Sequence, residues 1–168
     1  MEKIKVGGVM QSEGRALLRI LSLPDRPGVA GTLLSVLGHN GINIEFLVEG
    51  SDIEGQGNFS ICIDQKDLGA ALGILESVKD SVDARGISYV PDVAVLSVFG
   101  PHLREKPRVP GAMFNTLASH GINVIAISTS ISSVSCVIEG IHLDDAIQAL
   151  QDAFEIPFFE VKKRPRDY

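Results

Sequence analysis

The chain has 168 residues, 45% hydrophobic and 21% charged, with a formal net charge of −6. That balance suits a globular protein with a sizeable core, built as one mid-sized domain or two small ones. It argues against a nucleic-acid partner, which requires a basic face; the one basic cluster, Lys162 to Arg166, reads as a solvated tail.

In chain order, IKVGGVM (4–10) and RALLRILSL (15–23) read as strands. A proline-containing loop, PDRPG, leads into a helix on which Val29, Leu33, Val36 and Leu37 make an apolar stripe at helical spacing. Gly41 supplies the stop, as helix C-terminal glycines do. INIEFLVEG (42–50) reads as a second strand, followed by a glycine-rich polar loop to residue 58. A strand and a helix then share FSICIDQKDLGAALGILESV (59–78), and GISYV (86–90) closes the set.

From DVAVLSVF (92–99) onward the same order returns. Pro27 falls on Pro107, Val29 on Val109, Leu37 on Leu117, and Gly41-Ile42-Asn43 on Gly121-Ile122-Asn123. Past INVIAISTS (122–130) the match resumes in shifted register, with Ser60 on Ser135, Ile63 on Ile138, Ala71 on Ala146 and Leu75 on Leu150. The shift places a hairpin five residues shorter in the second copy, and PFFEV (157–161) is its expected closing strand. Each copy thus reads as strand–helix–strand–strand–helix–strand. That makes an α+β protein of two ferredoxin-like βαββαβ units, each an antiparallel four-stranded sheet with helices on one face. The expected domains are 13–90 and 91–168, with the extra strand in residues 1–12 pairing with the second.

The loop before the first helix carries the clearest chemistry. The first amides of a helix lack intrahelical partners and sit at the positive end of its dipole, where a carboxylate docks. Pro27 suits the first turn and Gly28 allows close backbone approach. Asp25 is open to two readings, an N-cap or an acceptor for an α-ammonium group. Asn43 and Asn123 each open a second strand, where an amide must find partners in loop backbone or in a ligand. Cys62 and Cys136 lie in alternating apolar runs and read as buried reduced thiols. Histidine spacing offers no metal site, and no phosphate-cradling glycine loop is present, so neither catalysis, metal nor cofactor is expected. No apolar run matches a signal-peptide core or a membrane span, so the expectation is a cytoplasmic protein that meets no membrane.

LPDRPGVAGTLLSVLGHNGINI resembles the first of the two ACT domains in the regulatory half of aspartate kinases, and the run from FGPHLREKPRVPG through ISTS to SCVI is similar to the second. The resemblance covers nearly the whole chain. It implies an allosteric module that binds an amino-acid effector (lysine, threonine or methionine), works as a homodimer, acts on a catalytic kinase subunit and has no kinase domain of its own. On the matching motifs it adds Val29 and Ala30 to the site beside Asp25, Pro27 and Gly28. It also implies effector contacts from Asn43, Ile44, Asn123 and Val124, and from Ser128, Thr129 and Ser130 of the ISTS run. The departures from the family pattern are Arg108 in place of Gly28's counterpart, Ile131 after ISTS, and Glu49 where the family has glutamine. Arg108 can itself hold a carboxylate, and Glu49 favours an amine. Two alternatives stay open: a free-standing ACT sensor serving another enzyme or regulator, and a structural dimerisation module with an inactive pocket.

Overall fold

The computed structural model describes residues 2–101, 103–157 and 159–162. His102, Phe158 and the basic tail from Lys163 lie outside them. In chain order the elements are β1 (Ile4–Lys5), β2 (Gly8–Pro24), α1 (Val29–His39), β3 (Phe46–Ser51), β4 (Gln56–Asp64), α2 (Leu68–Val78), β5 (Gly86–Phe99), α3 (Arg108–Ser119), β6 (Val124–Thr129), β7 (Ser133–Glu139), α4 (Leu143–Ala153), β8 (Phe154–Glu155) and β9 (Phe159–Lys162). The chain divides into two units, Arg15–Pro91 and a discontinuous one made of Met1–Gly14 with Asp92–Tyr168.

In the unit of residues 15–91 the strand order is β3-β4-β2-β5, the order of a split βαβ unit. β4 pairs antiparallel with both β3 and β2. Leu18, Ile20, Phe59, Ile61 and Ile63 alternate along β2 and β4 and bury one face beneath Val29, Leu33 and Leu37 of α1 and Ala71 and Leu75 of α2. The expected helical stripe is therefore the core stripe. Gly41, at φ 74, ends α1: its amide bonds the Gly38 carbonyl, and the Ile42 amide reaches back to Leu37 at 3.1 Å. That is the left-handed glycine cap with its hydrophobic partner, since Leu37 and Ile42 are both buried.

The other unit repeats the plan. β7 pairs antiparallel with β5 and β6, and α3 and α4 cover a core of Leu96, Met113, Leu117, Cys136, Leu150 and Phe154. Gly121, at φ 71, gives α3 the same cap, with Ile122 bonding Leu117 at 3.0 Å.

Two expectations about strands need correcting. Residues 86–90 and 92–99 belong to one strand, β5, which turns at Asp92 with φ 53 rather than breaking. Residues 159–162 do not stand beside the first strand of the second copy. β2 takes that place, its approach marked by the Gly7 amide donating to Phe99 at 2.7 Å, and β9 pairs in parallel with Val9–Ser12 of β2. An edge already hydrogen-bonded by the N-terminal strand has no free carbonyls for another.

A buried cation secures the 15–91 unit. Arg15, 5% exposed, donates from Nε to Glu45 at 3.0 Å and from Nη1 to Asp64 at 3.1 Å. Among the described residues no helix is long and apolar enough to cross a membrane.

Candidate functional site

A cavity of about 300 Å³ opens in the 15–91 unit where β2 hands over to α1. Leu23, Pro24, Asp25 and Arg26 form one wall, Val29, Ala30 and Leu34 of α1 a second, and Leu47 and Glu49 of β3 with Gly57 and Phe59 of β4 the floor. Four predicted residues, Asp25, Val29, Ala30 and Glu49, come together here.

The helix start differs from the expectation in a useful way. α1 begins at Val29, so Pro27 lies in the turn ahead of it rather than in its first turn. Gly28 is the N-cap residue, at φ 95, a conformation that favours glycine. No side chain caps the helix, and Asp25 sits three residues upstream, so the capping reading of Asp25 does not hold. The first turn carries no acidic residue either, so no side chain of its own offsets the positive dipole end, and Val29 and Ala30 of that turn line the cavity.

The charges around that wall are mostly acidic. Asp25 and Glu49 are both exposed carboxylates. The Glu49 Oε1 lies over Gly57, 3.2 Å from where a Cβ would stand, so the missing side chain makes room for the carboxylate. Among the described lining residues the one cation, Arg26, already donates from Nη2 to Asp83 at 2.8 Å. The arrangement suits a ligand with a carboxylate at one end and an amine at the other.

The remaining predicted residues lie elsewhere. Asn43 is exposed and precedes β3 by three residues; Asn123 is exposed and immediately precedes β6. Neither opens a strand as expected, and neither owes a buried partner: the glycine cap swings the chain out before pairing begins. Ile44 packs against the 15–91 core, and Val124 against the other. Ser130 Oγ accepts the amides of Ser132 and Ser133 at 3.3 and 3.1 Å, so it shapes the β6–β7 turn. Thr129 is exposed, and Ser128 stands in register with Ser135, whose hydroxyl is 2.7 Å from that of Ser97. Arg108 is the first residue of α3 and lines a different cavity, of about 510 Å³, with Asn115, His120, Glu2 and Asp152. Pro110 falls in the first turn of α3, where its missing amide costs nothing.

Sequence reasoning missed the other seven lining residues, among them Arg26, Leu47, Gly57 and Phe59. The sequence places Gly57 in a polar loop, whereas the structure makes it the second residue of β4. Among the described residues no group of three His, Cys, Asp or Glu side chains is placed to hold a metal.

The family model described as the ACT domain matches residues 16–80, and a second ACT-domain model matches residues 96–154. Each match falls inside one structural unit. An aspartate kinase of Pseudomonas fluorescens is 31% identical over 156 residues, covering 93% of this chain and 38% of its own. The chain thus spans well under half the length of the curated relatives it matches. Among solved structures, one of aspartokinase alpha and beta subunits is 30% identical with a TM-score of 0.79, covering 88% of this chain and 97% of that one. The regulatory subunit of aspartate kinase from Thermus flavus is 28% identical with a TM-score of 0.81, covering 90% and 99%. This chain belongs to the ACT-domain family, as a tandem pair of ACT domains resembling the regulatory part of aspartate kinases.

Proposed function

We propose that this chain is an amino-acid-sensing regulatory module whose working site is the cavity of the 15–91 unit. The observation that carries the reading is the meeting of an uncapped helix start with Asp25 and Glu49. The ligand's α-carboxylate docks on the first amides of α1, at Val29 and Ala30, and Asp25 accepts from the α-ammonium. Glu49 then selects for a second amine on the side chain, which favours lysine over threonine or methionine. The second copy has Arg108 at the matching helix start and a Ser130 hydroxyl committed to its turn, so it serves as scaffold. The partners are a second copy of the chain and an aspartate kinase catalytic subunit, in the cytoplasm. The ligand acts by binding one arrangement of these partners better than another, because only differential affinity shifts an equilibrium.

The test is a thermal-shift screen of the twenty amino acids with light scattering in parallel. Lysine at about a hundredfold excess over its dissociation constant stabilises the native state by roughly 2.7 kcal/mol, a clear rise in Tm. Asp25→Ala abolishes that rise. A flat response to all twenty, with an unchanged oligomeric state, overturns the sensor reading and favours a structural dimerisation module.

A further inference from the structure

We infer that Asn58 is a positioning residue for this site, and the inference rests on the amino-acid reading of the cavity. β2 and β4 pair in one register as far as Ile20↔Phe59 and in another from Leu23↔Gly57. Between those pairs β2 spends two residues, Leu21 and Ser22, against the single Asn58 of β4. The extra residue is a β-bulge. Ser22 takes φ 55, uncommon for a residue other than glycine. A bulge leaves a strand amide without its ladder partner, and here Asn58 supplies one: its Oδ1 accepts the Ser22 N–H at 3.0 Å.

The bulge decides which way the site faces. Side chains alternate along a strand, so removing one residue's offset turns everything beyond it to the opposite face. Leu23, 1% exposed, follows the bulge directly, and Pro24 and Asp25 follow Leu23; all three line the cavity. Asn58 itself stands between Gly57 and Phe59, which form part of the floor. One hydrogen bond therefore ties the floor of the cavity to the turn that carries Asp25, while Asn58 is not among the residues lining it. Nothing in the sequence announces this, because the side chain acts on a backbone amide thirty-six residues away.

Amide hydrogen exchange by NMR, with L-lysine titrations, tests the inference on three variants of the whole chain. In Asn58→Ala the Ser22 amide exchanges about tenfold faster and the resonances of Leu23 to Arg26 move, as loss of one local hydrogen bond predicts. Lysine affinity falls by about tenfold or more with it. Asn58→Asp, which keeps the acceptor oxygen, restores both. Ile63→Val trims the buried core of the same strand and leaves affinity at the wild-type value. The inference is overturned if Ser22 exchange is unchanged in Asn58→Ala, if all amides of the unit speed up equally, or if Ile63→Val weakens lysine as much. A wild-type chain that ignores lysine sinks the lysine assignment alone; the exchange data still decide what Asn58 does.

Discussion

Cys62 stands at 0% exposure in β4, in register with Leu17 on one side and Phe46 on the other. Burial pushes its thiol up to about 12, with the charge of Glu45 adding to the rise and Arg15 opposing it. Burial alone lifts Cys136 to about 12. Both folded values exceed the ordinary 9.0, so the fold prefers the neutral thiol. That preference contributes fully below pH 9 and is lost as pH rises from 9 through 12. Iodoacetamide at pH 8 should accordingly leave both cysteines unmodified in the native protein and alkylate both in urea. Replacing both by valine should flatten the loss of stability between pH 9 and 11, measured by urea unfolding at each pH; a wild-type slope in the variant would refute it. The sequence carried this reading, since both cysteines lie in alternating apolar runs. Arg15 it did not: a charged residue at the head of a strand looks exposed until Glu45 and Asp64 are seen to close on it. Ser130 is ambiguous in the opposite sense: its hydroxyl serves its own turn, and the sequence spells that role and a ligand contact alike.

At the scale of elements, the two Gly-Ile-Asn steps show what a repeat can and cannot say. Glycine holds the left-handed position and isoleucine packs back on the helix, so Leu37 and Leu117, both 0% exposed, are equivalent knobs in separate cores. Trimming either to alanine should cost about 3 kcal/mol, because each leaves a cavity of the same kind. Urea unfolding of Leu37→Ala and Leu117→Ala would show it, and costs differing by more than about 2 kcal/mol would mean that the copies have diverged in packing. The stripe was legible because its period is local. The helix start was less so: Pro27 and Gly28 allow several entries, and only the φ of 95 at Gly28 fixes the first turn at Val29. β5 ran on through a Pro-Asp pair that looks like punctuation, since Asp92 absorbs the turn at positive φ. The bulge at Leu21–Ser22 left no local trace at all.

For the molecule as a whole, the sequence shows one strand too many and assigns it to the second copy, but it does not say which strands it meets there. Residues 1–14 belong with residues 92–168, and their contribution to that unit is physical. Val6 and Val9 are buried in the core of Leu96, Met113, Leu150 and Phe154. β1 pairs with β8, β2 carries β9, and Gly7 passes so close to Gly100 that a Cβ there would meet its Cα at 2.9 Å. Deleting residues 1–11 therefore strips two core valines, at roughly 1.5–3 kcal/mol each, together with the partner of β8 and most of the partner residues of β9. The 15–91 unit keeps every residue of its own core. Hydrogen exchange on the truncated chain should lose protection in α3 and α4 while α1 and α2 hold theirs. Loss spread evenly over all four helices would mean that the first core depends on the second. Protection retained in all four would mean that the N-terminal strand is dispensable, contrary to the burial of Val6 and Val9.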